Sequence, residues 1–175
     1  MRVIAGEFRS RKLKTLPGLT TRPTPDRLRE TLFDILAPRL EGTTFLDAYA
    51  GTGAVGIEAL SRGAARAILV EKNRAAVEII RDNLQTLGLE NRAEVYKGKA
   101  LQVLERLAAH TVFLDPPYEM EREYVEVLDM LGGRKNVFVV VQHASRFPLA
   151  EQYGALKRTR VVKQGDNSLS FYEAS

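Results

Sequence analysis

From Thr43 onward, short β-rich runs alternate with longer amphipathic segments, and this rhythm constrains the fold more than any other feature of the chain. Five runs read as strands: Thr44–Ala48, Ala67–Glu71, Ala93–Lys97, Thr111–Asp115 and Val137–Gln142. Between them, residues 54–62, 73–87, 99–109 and 121–131 carry helical spacing, with Gly63, Gly88 and Gly132-Gly133 as stops. Strand cores that are apolar on both faces and that alternate with helices require a mainly parallel sheet covered on both sides. The tail breaks the rhythm, because Leu156–Lys163 and Ser168–Glu173 flank the turn-rich Gln164-Gly165-Asp166-Asn167. The expectation is an α/β fold whose seven-stranded, mainly parallel sheet carries helices on both faces and ends in an antiparallel hairpin.

A chain of 175 residues is the size of one domain, and 45% hydrophobic with 27% charged residues excludes a disordered or low-complexity protein. No apolar run approaches the roughly 20 residues of a membrane span, and residues 1–7 lack a secretory apolar core, so a cytoplasmic protein is expected. With no cysteine, thiolate nucleophiles and Cys-ligated metal sites are excluded, and only His110 and His143 could serve as imidazole bases or ligands, too few to suggest a His-based metal site. No metal is expected. His143, at the end of the fifth strand, reads as a partly buried, hydrogen-bonded residue, and His110 as a surface one.

The charge is placed unevenly. Residues 1–29 hold eight basic side chains against Glu7 and Asp26, while the net charge of the whole chain is only +4. All of the positive excess therefore lies in the first segment, the pattern of a phosphate-binding arm on a near-neutral body, although a solvated basic tail has the same composition. Residues 1–24 are assigned to this arm, extended and partly stranded, with Arg2, Arg9, Arg11, Lys12, Lys14 and Arg22 as its candidate phosphate contacts; residues 25–175 form the body of the fold. At the junction, Thr24 is suited to cap a helix, Pro25 to its first position and Asp26 to its dipole, and Leu28, Leu32, Ile35 and Leu36 make one apolar face up to Pro38.

Two constellations carry chemistry. In Phe45-Leu46-Asp47-Ala48-Tyr49-Ala50-Gly51-Thr52-Gly53-Ala54-Val55-Gly56 a strand enters a glycine loop and then a helix. Gly51-x-Gly53-x-x-Gly56, with Glu71 ending the next strand, fits a nucleoside cofactor whose ribose hydroxyls meet the acid, without saying which cofactor. Tyr49, beside this loop, is placed to touch the cofactor or to pack. The second constellation is Asp115-Pro116-Pro117-Tyr118 after the fourth strand. Two prolines fix the backbone and remove donors, so a carboxylate, carbonyl acceptors and an aromatic ring are presented rigidly. Such a set suits the exocyclic amine of a flat base.

Together these motifs resemble the class I S-adenosylmethionine-dependent amino-methyltransferases. Almost the whole chain also resembles one family, the RsmD-type bacterial 16S ribosomal RNA guanine-N2 methyltransferases. The specific part is the N-terminal block: Arg2-Val3-Ile4-Ala5-Gly6, Arg11-Lys12-Leu13-Lys14 and Arg22-Pro23-Thr24-x-Asp26-Arg27-x-Arg29-Glu30-Thr31-Leu32-Phe33. The likeness continues through Gly56-x-Glu58-Ala59-Leu60-Ser61-Arg62-Gly63-Ala64, the Asp115–Tyr118 motif and Leu169-Ser170-Phe171-Tyr172.

The resemblance implies a Rossmann-like class I methyltransferase fold, S-adenosyl-L-methionine as cofactor, and 16S rRNA in the assembled 30S subunit as partner of a monomer. Asp47, Gly51 and Gly53 would surround the methionine end of the cofactor and Glu71 its ribose. Asp115 and the Pro116 carbonyl would hold the guanine amine, with Tyr118 stacked on the ring. One departure stands out: where the family has an acid for the adenine amine, this chain aligns Lys99, which cannot accept that hydrogen bond. Other acceptors on the same scaffold, a DNA adenine N6 or a protein glutamine, lack support from a recognition domain or from the basic arm. A dinucleotide oxidoreductase leaves Asp115–Tyr118 unexplained, and a non-catalytic RNA-binding module predicts RNA binding without cofactor affinity.

Overall fold

The computed structural model describes residues 1–17 and 24–175; Arg22 lies outside the described residues. In chain order the elements are α1 (Asp26–Leu36), β1 (Thr44–Asp47), α2 (Ala54–Ser61), β2 (Arg66–Glu71), α3 (Arg74–Thr86), β3 (Ala93–Lys97), α4 (Ala100–Leu104) and β4 (Thr111–Leu114). They continue through α5 (Glu121–Leu131), β5 (Val137–Ala144), β6 (Gln152–Tyr153), β7 (Leu156–Gln164) and β8 (Asn167–Ala174). The sheet order is β3-β2-β1-β4-β5-β8-β7-β6. β1 to β5 pair in parallel, while β8 lies antiparallel between β5 and β7. The expected seven strands are all present, and the two-residue β6 on the edge makes eight among the described residues.

Strand periodicity divides the core. On β1, Phe45 points to a layer containing α1 and α2, and Leu46 to the opposite layer with α4 and α5. α3 shares the first face, packing Ile80 and Leu84 against Ala67 and Leu69 of β2. β5 is buried along all eight residues, since helices cover both faces and strands flank both edges.

Two local expectations change. The fourth helical segment, expected over 99–109, ends at Leu104. Arg134, beyond the end of α5, donates to the carbonyls of Leu104 and Leu107, and such a long-range cap satisfies the helix end at this point. Thr24 does not cap α1. Pro25 occupies the N-cap position without a side-chain bond, and the Thr24 hydroxyl instead donates to Gln142 Oε1 at 3.3 Å.

The first fourteen residues fold back as a turn-rich clip with one antiparallel bridge, Arg2 to Lys12, rather than running as an extended, partly stranded arm. Val3 and Leu13 are buried against α2 and α3. Polar side chains fasten the backbone: the buried Glu58 carboxylate accepts the Ile4 and Ala5 N–H groups at 2.9 and 3.0 Å. Ser61 Oγ accepts from Phe8 N–H at 2.9 Å and donates to the Ala5 carbonyl at 2.7 Å. Gly6 makes this approach possible, with φ +90°; a Cβ there would sit 2.0 Å from the Ser61 carbonyl oxygen.

Candidate active site

The sheet order reverses between β1 and β4, where α2 and α5 leave toward opposite faces and a crevice opens beyond the strand ends. A cavity of about 790 Å³ occupies it. Asp47, Gly51, Glu71, Asp115, Pro116 and Tyr118 all line this one cavity, although they come from three strand ends. No helix among the described residues is long and apolar enough to cross a membrane.

One half of the cavity is built on the glycine loop. Glu71 Oε1 accepts the Gly51 N–H at 2.9 Å and Oε2 accepts the Asn73 N–H at 2.7 Å, which fixes the carboxylate and leaves lone pairs for further donors. Gly51 has φ +58°, and the direction a Cβ would take is open, so the backbone itself faces the ligand space. Gly53 has a different surrounding. At φ +91° it is the N-cap of α2, and a Cβ would meet Ile80 and Leu69 at 3.4 Å, so it serves the turn and the packing behind the loop. Asp47 is 1% exposed. Burial, then repulsion from Asp115 and less so from Glu71, pushes its pKa up to about 8, against the N–H groups of Tyr49 and Gly56. Lys99 stands at the cavity wall before α4, where no acid replaces it, with Gly98 and Ala100 beside it.

The other half is the turn after β4. Asp115 opens it and Tyr118 closes it, both at the cavity wall. The Pro116 carbonyl accepts the Tyr124 hydroxyl at 2.9 Å, which also reaches the Gln142 carbonyl at 3.3 Å. A carbonyl has two lone pairs, so this one can accept a second donor. Burial pushes the Tyr124 pKa well above the usual phenol range, with Asp115 adding to the rise, and the hydroxyl remains a donor. The Tyr118 hydroxyl donates to Asn167 Oδ1 at the start of β8, which ties the ring to the terminal hairpin. Tyr49 lines the cavity and also packs against the core beneath it.

Met1, Thr15 and Leu16 complete the cavity rim, so the clip forms part of the wall. Asn83 of α3 joins the two parts: its Oδ1 accepts the Lys14 N–H at 2.8 Å, and its Nδ2 donates to the carbonyls of Lys14 and Thr52 at 3.2 and 3.1 Å. Of the clip's cations, Arg9, Arg11 and Lys12 are exposed; Arg2 donates to the Ser10 carbonyl, and Lys14 lies 3.5 Å from Asp82. His143 is buried, as expected, with Nε2 on Ser170 Oγ at 2.8 Å and Nδ1 near the Ala144 and Phe147 carbonyls. His110 is exposed.

Sequence reasoning missed Asn83, Tyr124 and Asn167. Only Asn83 left a trace, as a polar residue on the otherwise apolar face of α3 between Ile80 and Leu84.

The switch-point cavity, the glycine loop with an acid on the neighbouring strand and the antiparallel β8 beside β5 define the fold of a class I methyltransferase. The RNA methyltransferase from Salinibacter ruber, solved with S-adenosyl-L-homocysteine, shares it with a TM-score of 0.66 at 17% identity, covering 86% of this chain and 92% of that one. A family model described as Conserved hypothetical protein 95 matches residues 1–173. Ribosomal RNA small subunit methyltransferase D of Escherichia coli strain K12 is 36% identical over 171 residues, 94% of this chain and 86% of that relative. The solved yhhF protein of Escherichia coli has a TM-score of 0.87 at 34% identity, covering 100% and 99% of the two chains. The chain belongs to this family, the RsmD-type methyltransferases.

Proposed function

We propose that this protein transfers a methyl group from S-adenosylmethionine to the exocyclic N2 of one guanine in 16S ribosomal RNA, presented by the assembled 30S subunit. The observation that carries the reading is that the glycine loop with Glu71 and the turn Asp115–Tyr118 open into a single cavity. Its volume of about 790 Å³ falls in the range of small-molecule sites, roughly 300–1,000 Å³. The family relative named for the ribosomal small subunit supports the acceptor, and the exposed cations of the clip suit a polyanionic partner.

The residues fit the cofactor. Glu71 is held to accept ribose hydroxyls, and the Gly51 backbone and Asp47 suit the methionine end, in a cavity lined by five acidic side chains (Asp47, Glu71, Asp115, Glu119 and Glu123) against Lys72 and Lys99, an excess that favours a cationic ligand. When bound, S-adenosylmethionine supplies an already activated methyl group on a sulfonium. Positioning then provides most of the rate, and no covalent enzyme intermediate is needed. A guanine N2 lone pair is delocalised into the ring and is a poor nucleophile. Asp115 and the free lone pair of the Pro116 carbonyl accept its two hydrogens and favour the pyramidal amine, while the Tyr118 ring supports the base. As the N–C bond forms, N2 becomes acidic, and Asp115 is placed to take the surplus proton. The base must leave its stack to reach this crevice.

The test is methylation of 30S particles from a strain lacking the enzyme, followed by nucleoside mass spectrometry. The reading predicts N2-methylguanosine at one site. Label in another nucleoside, or none, contradicts it.

A further inference from the structure

We propose that a groove between the start of α1 and the β7–β8 turn holds a backbone phosphate of the substrate, the one next to the nucleotide whose base enters the active-site cavity. The inference rests on the RNA-methyltransferase reading above. The groove is a second cavity, of about 500 Å³, walled by Pro25, Arg27 and Leu28 on one side and by Lys163, Gln164 and Asn167 on the other.

Its cations are uncompensated. Arg27 and Lys163 are exposed, and neither forms an ion pair among the described residues. Arg29, two residues along the same helix, shows the contrast: it is fully buried and donates to the Arg2 carbonyl at 2.7 Å and to Asp26 at 3.1 Å. That bond engages Asp26, the acid next to Arg27 in sequence, and neither Asp26 nor Glu30, one turn further along α1, forms an ion pair with Arg27. Asp166 sits at the hairpin tip but does not line the groove.

The walls are also fixed. Gln164 Nε2 donates to Thr31 Oγ1 of α1 at 2.6 Å, bracing the end of β7 against the helix that carries Arg27. Ser145 holds the turn by donating from its N–H to the Asp166 carbonyl at 2.8 Å and from its hydroxyl to the Gly165 carbonyl at 3.1 Å. Two cations on braced walls, one a guanidinium fork and one an ammonium, form a receptor for a phosphodiester oxygen pair.

Position identifies which phosphate. Asn167 lines the groove and also accepts the hydroxyl of Tyr118, whose ring lines the active-site cavity. The groove and the active site thus lie on two sides of one tyrosine–asparagine pair. An extruded nucleotide stays joined to its neighbours, so the phosphate beside a base stacked on Tyr118 must pass close to Asn167. The clip, packed on α2 and α3, grips the RNA from the other side of the crevice.

The test uses the full chain and 30S particles lacking the modification. Arg27→Gln with Lys163→Gln should leave Tm and cofactor affinity unchanged and weaken particle binding several-fold. It should also flatten the salt dependence by about 0.7 for each phosphate that is no longer neutralised, the value for single strands. Because the chain has no cysteine, Lys163→Cys carrying a short photoreactive label addresses position, and its cross-link should map to the nucleotides flanking the methylated guanine. Binding and salt slope equal to wild type, or cross-links remote from that guanine, overturn the groove assignment alone. A wild-type protein that neither binds nor methylates the particle overturns the assignment together with the functional reading beneath it.

Discussion

Asp47 links cofactor binding to pH. With its pKa pushed up to about 8, about nine in ten molecules carry a proton on this carboxyl at neutral pH before ligand enters. The cause is burial in a cavity that it shares with Asp115 and Glu71, so a cation placed there reverses the balance and favours the ionised form. Binding should therefore release close to one proton per site at about pH 7, and S-adenosylmethionine affinity should rise up to tenfold per pH unit until a plateau above about pH 8. Folding is linked with the opposite sign. The native state holds this proton more tightly than the unfolded chain, so between the ordinary carboxylate value of 3.8 and about 8 the ligand-free protein loses stability as pH rises. The limit for one proton is about 1.4 kcal/mol per unit. Calorimetry in buffers of different ionisation enthalpy counts the protons, and Tm against pH reads the stability. Asp47→Asn, which imitates the protonated form, should flatten both profiles. Affinity that stays constant from about pH 6 to about pH 8, with no buffer-dependent heat, refutes the reasoning.

The two loop glycines should separate. Gly51→Ala, at a left-handed position with open space beyond it, should keep the fold and weaken cofactor binding, whereas Gly53→Val meets Ile80 and Leu69 and should lower Tm as well; calorimetry and thermal melts distinguish them. Neutralising Arg9, Arg11 and Lys12 should flatten the salt dependence of 30S binding with little change in cofactor affinity, measured by filter binding across a salt series. Asn83→Asp keeps the acceptor for the Lys14 N–H but sets a carboxylate against the Lys14 and Thr52 carbonyls. It should raise KM for S-adenosylmethionine by about tenfold, the scale of a buried polar group left opposed, with kcat changed much less.

The strands that carry the site were legible because they are buried on both faces: Thr44–Asp47, Arg66–Glu71 and Thr111–Leu114 lie within a residue of their expected bounds. The glycine loop and Asp115–Tyr118 were legible for a related reason, since φ-positive glycines and paired prolines have few other uses at strand ends. What the sequence hid are bonds made across long separations. Arg134 ends α4 from 30 residues away, and Thr24 serves Gln142 rather than its own helix. The clip is the largest instance. Its composition suggests an extended arm, but Glu58, Ser61 and Asn83, polar residues in helices read for their apolar faces, accept and donate to its backbone. β6 has two residues and no pattern of its own; its pairing depends on β7 already being in place.

The central claim is that one cavity holds the cofactor by its glycine-loop half and the acceptor amine by Asp115. Single-turnover methyl transfer to 30S particles by Asp115→Ala, with S-adenosylmethionine affinity measured on the same sample, tests it most directly. Near-wild-type cofactor affinity is expected, with a transfer rate lowered by about a hundredfold or more, the scale of a lost acid–base group. Transfer at the wild-type rate, or a loss explained wholly by weaker cofactor binding, would contradict it.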